Sequence, residues 1–368
     1  MASSLDKLSV EGFKSIRSLK DFKLDRLNLL VGANGAGKSN FVDFFRLLRA
    51  MSEESLSLFV AERGKADAFL FNGPKVTDSI SAHLAFGANE YRFTLKPTVT
   101  GEFLVSEELA YRGQRGRVSA PKPESGLKGW EDERIRRNKP YPWGREQYVA
   151  DSVSKWLVYH FHDTTSRAAM RRDQQLRDFR ELRADAGNIA AFLYRLKLFN
   201  PDHYEQICYH IQLIAPFFDR FILEPQQSGP EELIRLEWQQ KGSSSPLQPY
   251  QFSDGTMRFI CLATALLQPD PPPTILIDEP ELGLHPFALG VLASLLRQTS
   301  TRTQIIVSTQ SAPLLDTFEP EEVIIVDRFE GASRFRRLEA EPLQAWLQDY
   351  SLGQLWQKNV IEAGPVHE

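Results

Sequence analysis

Cysteine is almost missing from this chain: Cys208 and Cys261 are the only two in 368 residues, and they form no CxxC pair. That argues against a disulfide framework or a cysteine-rich zinc site and suits a reducing cytoplasm. Long apolar runs are missing as well. Nothing approaches the roughly 18 consecutive apolar residues that a bilayer-spanning helix needs. Residues 1–14 mix polar and apolar side chains and contain no apolar core of a secretion signal. The expectation is a cytoplasmic protein with no membrane span, so any membrane association would come through a partner. No sustained heptad occurs, which argues against long coiled-coil arms, and no internal repeat is present.

What is present is ordinary for a globular protein, with 42% hydrophobic and 25% charged residues, and the chain is long enough to hold a core without staples. Charge is close to balanced, at a formal net of -4, but unevenly spread. Residues 110–200 carry 19 Lys and Arg against 11 Asp and Glu. Such a segment suits a polyanion-facing surface or, equally, a solvated helical face.

Residues 8–10, 22–24 and 27–31 read as short strands, and 38–51 as a helix with Phe41, Phe44, Phe45 and Leu48 at helical spacing. Residues 80–86 and 90–95 alternate on either side of Gly87-Ala88-Asn89 and predict a hairpin. Residues 96–142, rich in Pro, Gly and charge, read as loop or cover. Residues 156–161 read as a strand, 167–198 and 204–218 as helices, and 222–223 and 234–238 as strands around Gly229-Pro230. After the joint Gly242-Ser243-Ser244-Ser245-Pro246 come a helix at 255–267, a strand at 274–277, a helix at 288–298, and strands at 304–308 and 323–327. Apolar strands alternating with helices predict a parallel sheet covered on both faces.

Gly32-Ala33-Asn34-Gly35-Ala36-Gly37-Lys38-Ser39 matches the GxxxxGK[ST] phosphate loop, between an apolar strand and an amphipathic helix. Its glycines let backbone N–H groups wrap around phosphate oxygens. The positive end of the following helix faces the same phosphates. Lys38 is expected to reach the β- and γ-phosphates of ATP, and Ser39 to ligate Mg²⁺. Thr274-Ile275-Leu276-Ile277-Asp278-Glu279 reads as a buried strand ending in two carboxylates. Asp278 would hold Mg²⁺, directly or through water, and Glu279 would polarise the attacking water as general base. An ordinary strand followed by an Asp-Glu-Pro turn is the plainer reading, and the phosphate loop upstream weighs against it.

Phe252-Ser253-Asp254-Gly255-Thr256 opens a helix shortly before that strand. Here the sequence resembles ABC ATPases, whose signature has the form LSGGQ; Asp254 and Thr256 depart from it. The resemblance implies that the signature of one subunit caps the γ-phosphate held by the other, so that ATP binding pairs two copies head to tail. Ser253, Asp254 and Gly255 would then supply an N-cap and free N–H groups as a second anion site. By the same resemblance, Pro280-Glu281-Leu282-Gly283-Leu284-His285-Pro286 sits at the D-loop, and Ser308-Thr309-Gln310-Ser311 at the switch. Gln310 stands where the family usually has histidine. Glutamine can orient water but cannot take a proton at neutral pH.

A closer resemblance is to ATPase heads on the overcoming-lysogenization-defect, RecF and SMC side of that superfamily. It is carried by Gly12-Phe13-Lys14-Ser15-Ile16, the phosphate loop with Asn40, Tyr159-His160-Phe161-His162-Asp163, Ser253-Asp254-Gly255, the stretch from Asp278 to Pro286, and Ser308-Thr309-Gln310-Ser311. It implies an α/β P-loop NTPase of ABC type: a parallel-sheet core, an antiparallel β subdomain and a helical lid insertion. The expected division is an N-terminal lobe at 1–100, an insertion at 101–245, and a C-terminal lobe at 246–368. His160 and His162 share a strand face but lack a third ligand at any obvious spacing, so packing or polar contact near the nucleotide is the preferred reading over a metal.

The function these motifs imply is a Mg-dependent ATPase acting as an ATP-driven dimerising switch. Its setting would be DNA-related work or anti-phage defence, with a nuclease or toxin effector on a separate chain. Trp130, Trp143, Arg134, Arg136, Arg137 and Lys139 could stack on and neutralise nucleic acid, or form a charged loop. A transporter ATPase subunit is the first alternative, weakened by the roughly 215 residues between Lys38 and Ser253. A small-molecule kinase is the second. It leaves Ser253-Asp254-Gly255 and the stretch from Glu281 to Pro286 without a role.

Overall fold

The computed structural model describes residues 4–136 and 145–361. In chain order, β1 (Lys7–Phe13), β2 (Ile16–Lys23) and β3 (Leu27–Val31) lead into α1 (Lys38–Ser52) and α2 (Leu56–Glu62). A meander of β4 (Ile80–Phe86), β5 (Asn89–Pro97), β6 (Phe103–Tyr111) and β7 (Gln114–Lys122) is followed by α3 (Leu127–Arg136), α4 (Arg145–Ser154) and β8 (Leu157–Tyr159). Then come β9 (Gln174–Gln175), α5 (Ile189–Phe199), α6 (Pro201–Ile214), β10 (Phe218–Ile222), β11 (Gln226–Ser228), β12 (Glu231–Ile234) and β13 (Glu237–Gln240). The chain closes with α7 (Asp254–Leu267), β14 (Thr274–Asp278), α8 (Pro286–Ser300), β15 (Gln304–Thr309), α9 (Ala312–Leu315), β16 (Val323–Phe329), β17 (Ala332–Arg337) and α10 (Leu352–Gln357).

Two six-stranded sheets dominate. One has the order β17-β16-β3-β15-β14-β8, parallel from β16 to β8 with β17 antiparallel at its edge. The other, β2-β1-β4-β5-β6-β7, is antiparallel throughout. The parallel strands are apolar along their middles because both of their faces are covered, with polar residues such as Asn28, Gln304 and Ser308 buried among them. Leu29, Val31, Ile275, Ile277, Ile305, Val307 and Ile325 belong to a core shared with α5, α6, α7 and α8. Their alternates Leu30, Leu276, Ile306, Ile324 and Val326 belong to a second core with α1 and the antiparallel sheet. The aromatic stripe of α1 is the filling between the sheets: Phe44 stacks on Phe93 of β5 at 6.3 Å, and Phe45 packs on Trp156 at 5.1 Å. The fold class expected from the sequence is the one found, and the first residues of α1 are thereby fixed at the C-terminal edge of the parallel sheet.

Two segments differ from their sequence reading. Residues 96–142 are not mainly loop, since β6, β7 and α3 occupy most of the described part. The alternation of β6 is disguised by Glu107, which points inward. Its carboxylate is satisfied by Tyr91 Oη (2.6 Å), Ser125 Oγ (2.5 Å) and the Gly126 amide (2.7 Å). Residues 167–198 are not one helix either; only α5 at their end is α-helical. The preceding segment folds around buried side chains that bond to backbone, a competition that defeats helix formation. Asn188, for example, donates to the carbonyls of Asp178 and Glu181.

Candidate functional site

β3 ends at Val31 and the chain turns through Gly32 to Ser39 into α1. Gly35 and Gly37 take positive φ (79° and 115°), and Gly37 caps α1. Two glycines are also required by close approach. A Cβ on Gly32 would lie 2.1 Å from the Val326 carbonyl oxygen, and one on Gly37 would lie 1.9 Å from Ser333 Oγ. The β16–β17 hairpin therefore forms the floor of the loop. Ser333 Oγ donates to Ala36 O at 2.5 Å and lies 2.7 Å from Ser15 Oγ, to which Asn40 donates at 2.7 Å. Arg328 reaches Gly35 O at 3.3 Å. The sequence signalled Gly12-Phe13-Lys14-Ser15-Ile16 and Asn40 but gave no sign of Ser333 or Arg328, which act through the backbone of a loop 300 residues away.

Lys38 is buried, with its ammonium donating to Gly32 O (2.6 Å) and Ala33 O (3.1 Å). Burial holds its pKa below the usual lysine value, opposed by the nearby carboxylates of Glu279, Asp278 and Glu281. Those carboxylates come from the end of β14. Strand register sets Asp278 beside Ser308 of β15, whose hydroxyl donates to Asp278 Oδ1 and fixes that carboxylate. Glu279 follows in a left-handed conformation (φ 45°), held by its N–H on Ser308 O at 2.9 Å. Such a backbone costs about 1–3 kcal/mol and is kept where neighbours over-determine it. Gln310, just beyond β15, donates from its side-chain amide to Glu279 Oε1. Glu281 Oε1 accepts from Thr309 Oγ1 (2.5 Å) and from the Gln310 amide (3.1 Å), while its Oε2 is buried without a hydrogen-bond partner.

Ser253 caps α7, accepting from the Thr256 amide at 3.1 Å. Phe252 before it is buried against Trp238, stacked at 4.3 Å. Ser253 and Asp254 are exposed and Gly255 is half-buried. None of the three hydrogen-bonds to the phosphate loop among the described residues. A Cβ on Gly255 would lie 2.1 Å from the Gly283 carbonyl oxygen, so the start of α7 abuts the turn after β14.

The structure thus gathers Lys38, Asp278, Glu279 and Gln310 at one sheet edge and leaves Ser253 and Asp254 facing solvent, with Gly255 half-buried against Gly283. Ser39 and Asp278 offer hard oxygen donors of the kind Mg²⁺ prefers, and the glycine-lined loop leaves open space at Gly35. Among the described residues no group of three or more His, Cys, Asp and Glu could hold a metal unaided, which leaves His160 and His162 as exposed residues just past β8. Trp130 is buried, with Arg117 and Lys122 over its ring, so it is not free to stack on a base. Trp143, Arg137 and Lys139 lie outside the described residues.

A family model described as "AAA domain, putative AbiEii toxin, Type IV TA system" matches residues 27–316. The chain belongs to this family. It is an AAA-type ATPase, and its fold is that of SMC heads. The SmcHead bound to the C-winged helix domain of ScpA superposes with a TM-score of 0.61 at 16% identity, covering 93% of this chain and 99% of that one. A Pyrococcus furiosus Smc head domain with an extended coiled coil, bound to the C-terminal domain of ScpA, gives 0.55 at 15% identity, with 94% and 98% covered. A Pyrococcus yayanosii Smc head domain with a coiled coil and joint gives 0.51 at 14% identity, with 94% and 99% covered. No curated protein matches the chain. In this ATPase the longest described helices, α1 and α8, have 15 residues each, and no described helix is long and apolar enough to cross a membrane.

Proposed function

We propose that this ATPase is a Mg-dependent, ATP-driven switch in which two copies pair head to tail and each completes the other's site. Lys38 and the loop amides from Gly32 to Ser39 hold the phosphates. Ser39 and Asp278 would hold Mg²⁺, which supplies charge neutralisation on the β- and γ-phosphates. Glu279 takes a proton from the attacking water, and Gln310 orients both that carboxylate and the water. Asn34, Ala36 and Asn40 shape the loop. The partner copy presents Ser253, Asp254 and Gly255 to the γ-phosphate.

The observation that carries the pairing is the exposure of Ser253 and Asp254 at the amino end of α7, an anion-seeking helix terminus turned to solvent beside the turn that follows β14. Leu282 and Phe287, large apolar residues of that turn and of α8, are exposed as well and suit a surface that a second copy covers. ATP drives closure through its greater affinity than ADP for the paired state.

The family description, "putative AbiEii toxin, Type IV TA system", supports a defence setting, and the separate nuclease or toxin effector is part of the proposal. The exposed Arg167, Arg172, Arg180 and Arg183 support DNA as a further partner. The division at 1–100, 101–245 and 246–368 is part of this proposal, with β6 and β7 as the portion of the middle segment that joins the antiparallel sheet.

The test is the mass in solution of Glu279→Gln with and without Mg-ATP, repeated with a short DNA duplex. A doubling that requires Mg-ATP is expected, and DNA co-migrating with the doubled species supports the DNA-linked form. A constant mass under all conditions overturns the pairing.

A further inference from the structure

Two buried arginines lie outside the phosphate loop and the catalytic edge, and both bind the signature segment to something else. Arg258, on the first turn but one of α7, sends its guanidinium in three directions. Nε donates to Phe161 O at 2.9 Å, Nη2 to His162 O at 3.2 Å, and Nη1 to Leu282 O. Arg171 donates from Nε to Thr164 O at 2.9 Å and from Nη1 to Phe252 O at 3.1 Å and to Pro249 O. Its Nη2 reaches Asp254 Oδ1 at 3.0 Å.

These acceptors come from three stretches far apart in sequence: the exit of β8, the turn after β14, and the loop that leads into α7. Strand register places Tyr159 of β8 opposite Ile277, so the exit of β8 runs alongside Asp278. The turn holding Leu282 begins at Glu279. Both ends of Arg258's grip therefore adjoin the two carboxylates assigned to Mg²⁺ and to water, and the residue that grips them belongs to the signature helix. Gly255 seated on Gly283 closes the same junction through backbone contact. A planar guanidinium with five donors in fixed directions can hold three loops in one arrangement; a lysine ammonium is a point charge and cannot.

We propose that Arg258 and Arg171 are positioning residues that bind each subunit's signature to its own catalytic edge, so that γ-phosphate held at one composite site sets the geometry of the other. This rests on the head-to-tail pairing proposed above. In a pair, the catalytic edge of one copy serves one nucleotide and its signature serves the second. A rigid tie within each copy is then the physical link between the two sites.

The experiment compares the full-length protein with Arg258→Lys and Arg171→Lys, following nucleotide affinity, kcat, the Hill coefficient for ATP, and the Mg-ATP-dependent doubling in a Glu279→Gln background. Thermal melting confirms that each variant is folded. Expected for both variants is ATP affinity unchanged within about threefold and kcat lowered by about 10²-fold, the cost of misplacing groups that must meet in the transition state. The Hill coefficient, which can approach two for two coupled sites, should fall to about one. Wild-type turnover and cooperativity in a folded Arg258→Lys overturn the proposal. If that variant does not fold, the same result in Arg171→Lys does so. A wild-type protein that neither doubles nor responds cooperatively to ATP overturns the pairing instead, so the two failures are separable.

Discussion

Gln310 reaches from the end of β15 to the carboxylate of Glu279 at the end of β14, donating a side-chain hydrogen bond to Oε1. Glutamine in this place can aim a carboxylate without competing for its proton. Glu279→Gln is therefore expected to lower kcat by about 10² to 10⁴ while ATP still binds. Gln310→Ala, which frees the carboxylate without removing it, is expected to cost less, about 10- to 100-fold. Steady-state hydrolysis with a parallel nucleotide titration checks both, and undiminished turnover in Glu279→Gln removes that residue from the mechanism.

Alanine at two glycines is expected to separate binding from turnover. In Gly32→Ala the new methyl overlaps the Val326 carbonyl below the phosphate loop, so ATP affinity should be lost. In Gly255→Ala it overlaps the Gly283 carbonyl, so affinity should survive and hydrolysis should fail. Each overpacking is expected to destabilise the fold by about 1–3 kcal/mol. Isothermal titration with ATP analogues, alongside phosphate release, reads the two losses independently.

Glu281 predicts a pH dependence. Burial holds its carboxyl above the usual range, even though hydrogen bonds from Thr309 and Gln310 pull the other way. A folded-state pKa raised above the unfolded one means that the folded protein binds the proton more tightly. The contribution of Glu281 is fully present below the unfolded value and is lost as pH rises through the folded value. Glu281→Gln, which keeps an oxygen for Thr309 and has no charge, should gain stability relative to wild type as pH climbs from 5 to 7.5. Urea unfolding across that range measures it, and parallel curves for the two proteins contradict the assignment.

The two thiols offer a test of packing. Burial pushes Cys208 up to about 12, and Cys261, entirely enclosed, higher still. Neither should react with a thiol reagent at pH 8 in the native protein, and both should titrate in denaturant. Rapid modification of either one in buffer would show that its core opens readily.

The acidic end of β14 and the glycine-rich loop before α1 were legible in the sequence because their pattern is local. Glycine spacing, an apolar strand and a terminal carboxylate pair are all contained in a few consecutive residues. Ser333, Arg328, Arg171 and Arg258 were not, because their partners are mostly backbone oxygens that any residue could supply, several of them 78 to 297 positions away along the chain. Glu107 hid β6 by placing a charge at an inward position, which its hydrogen-bond donors Tyr91, Ser119, Ser125 and the Gly126 amide make tolerable. The arginine-rich stretch before α5 looked helical because spacing alone cannot tell a solvated arginine from Arg171, which is enclosed and organises a loop.

The hairpin of β16 and β17 gives the phosphate loop a particular place in time. The strand that carries the loop, β3, has β15 and β16 as its neighbours, and Gly32 and Gly37 rest on Val326 and Ser333. A ribosome that has released the first hundred residues has delivered the whole GxxxxGK[ST] motif but none of the surface that shapes it. Folding of the nucleotide site waits for closure of a loop that spans most of the chain, a slow kind of contact to form. Nucleotide affinity is therefore expected only late in synthesis, and a chain cut short before Ser333 is expected to carry the motif without it.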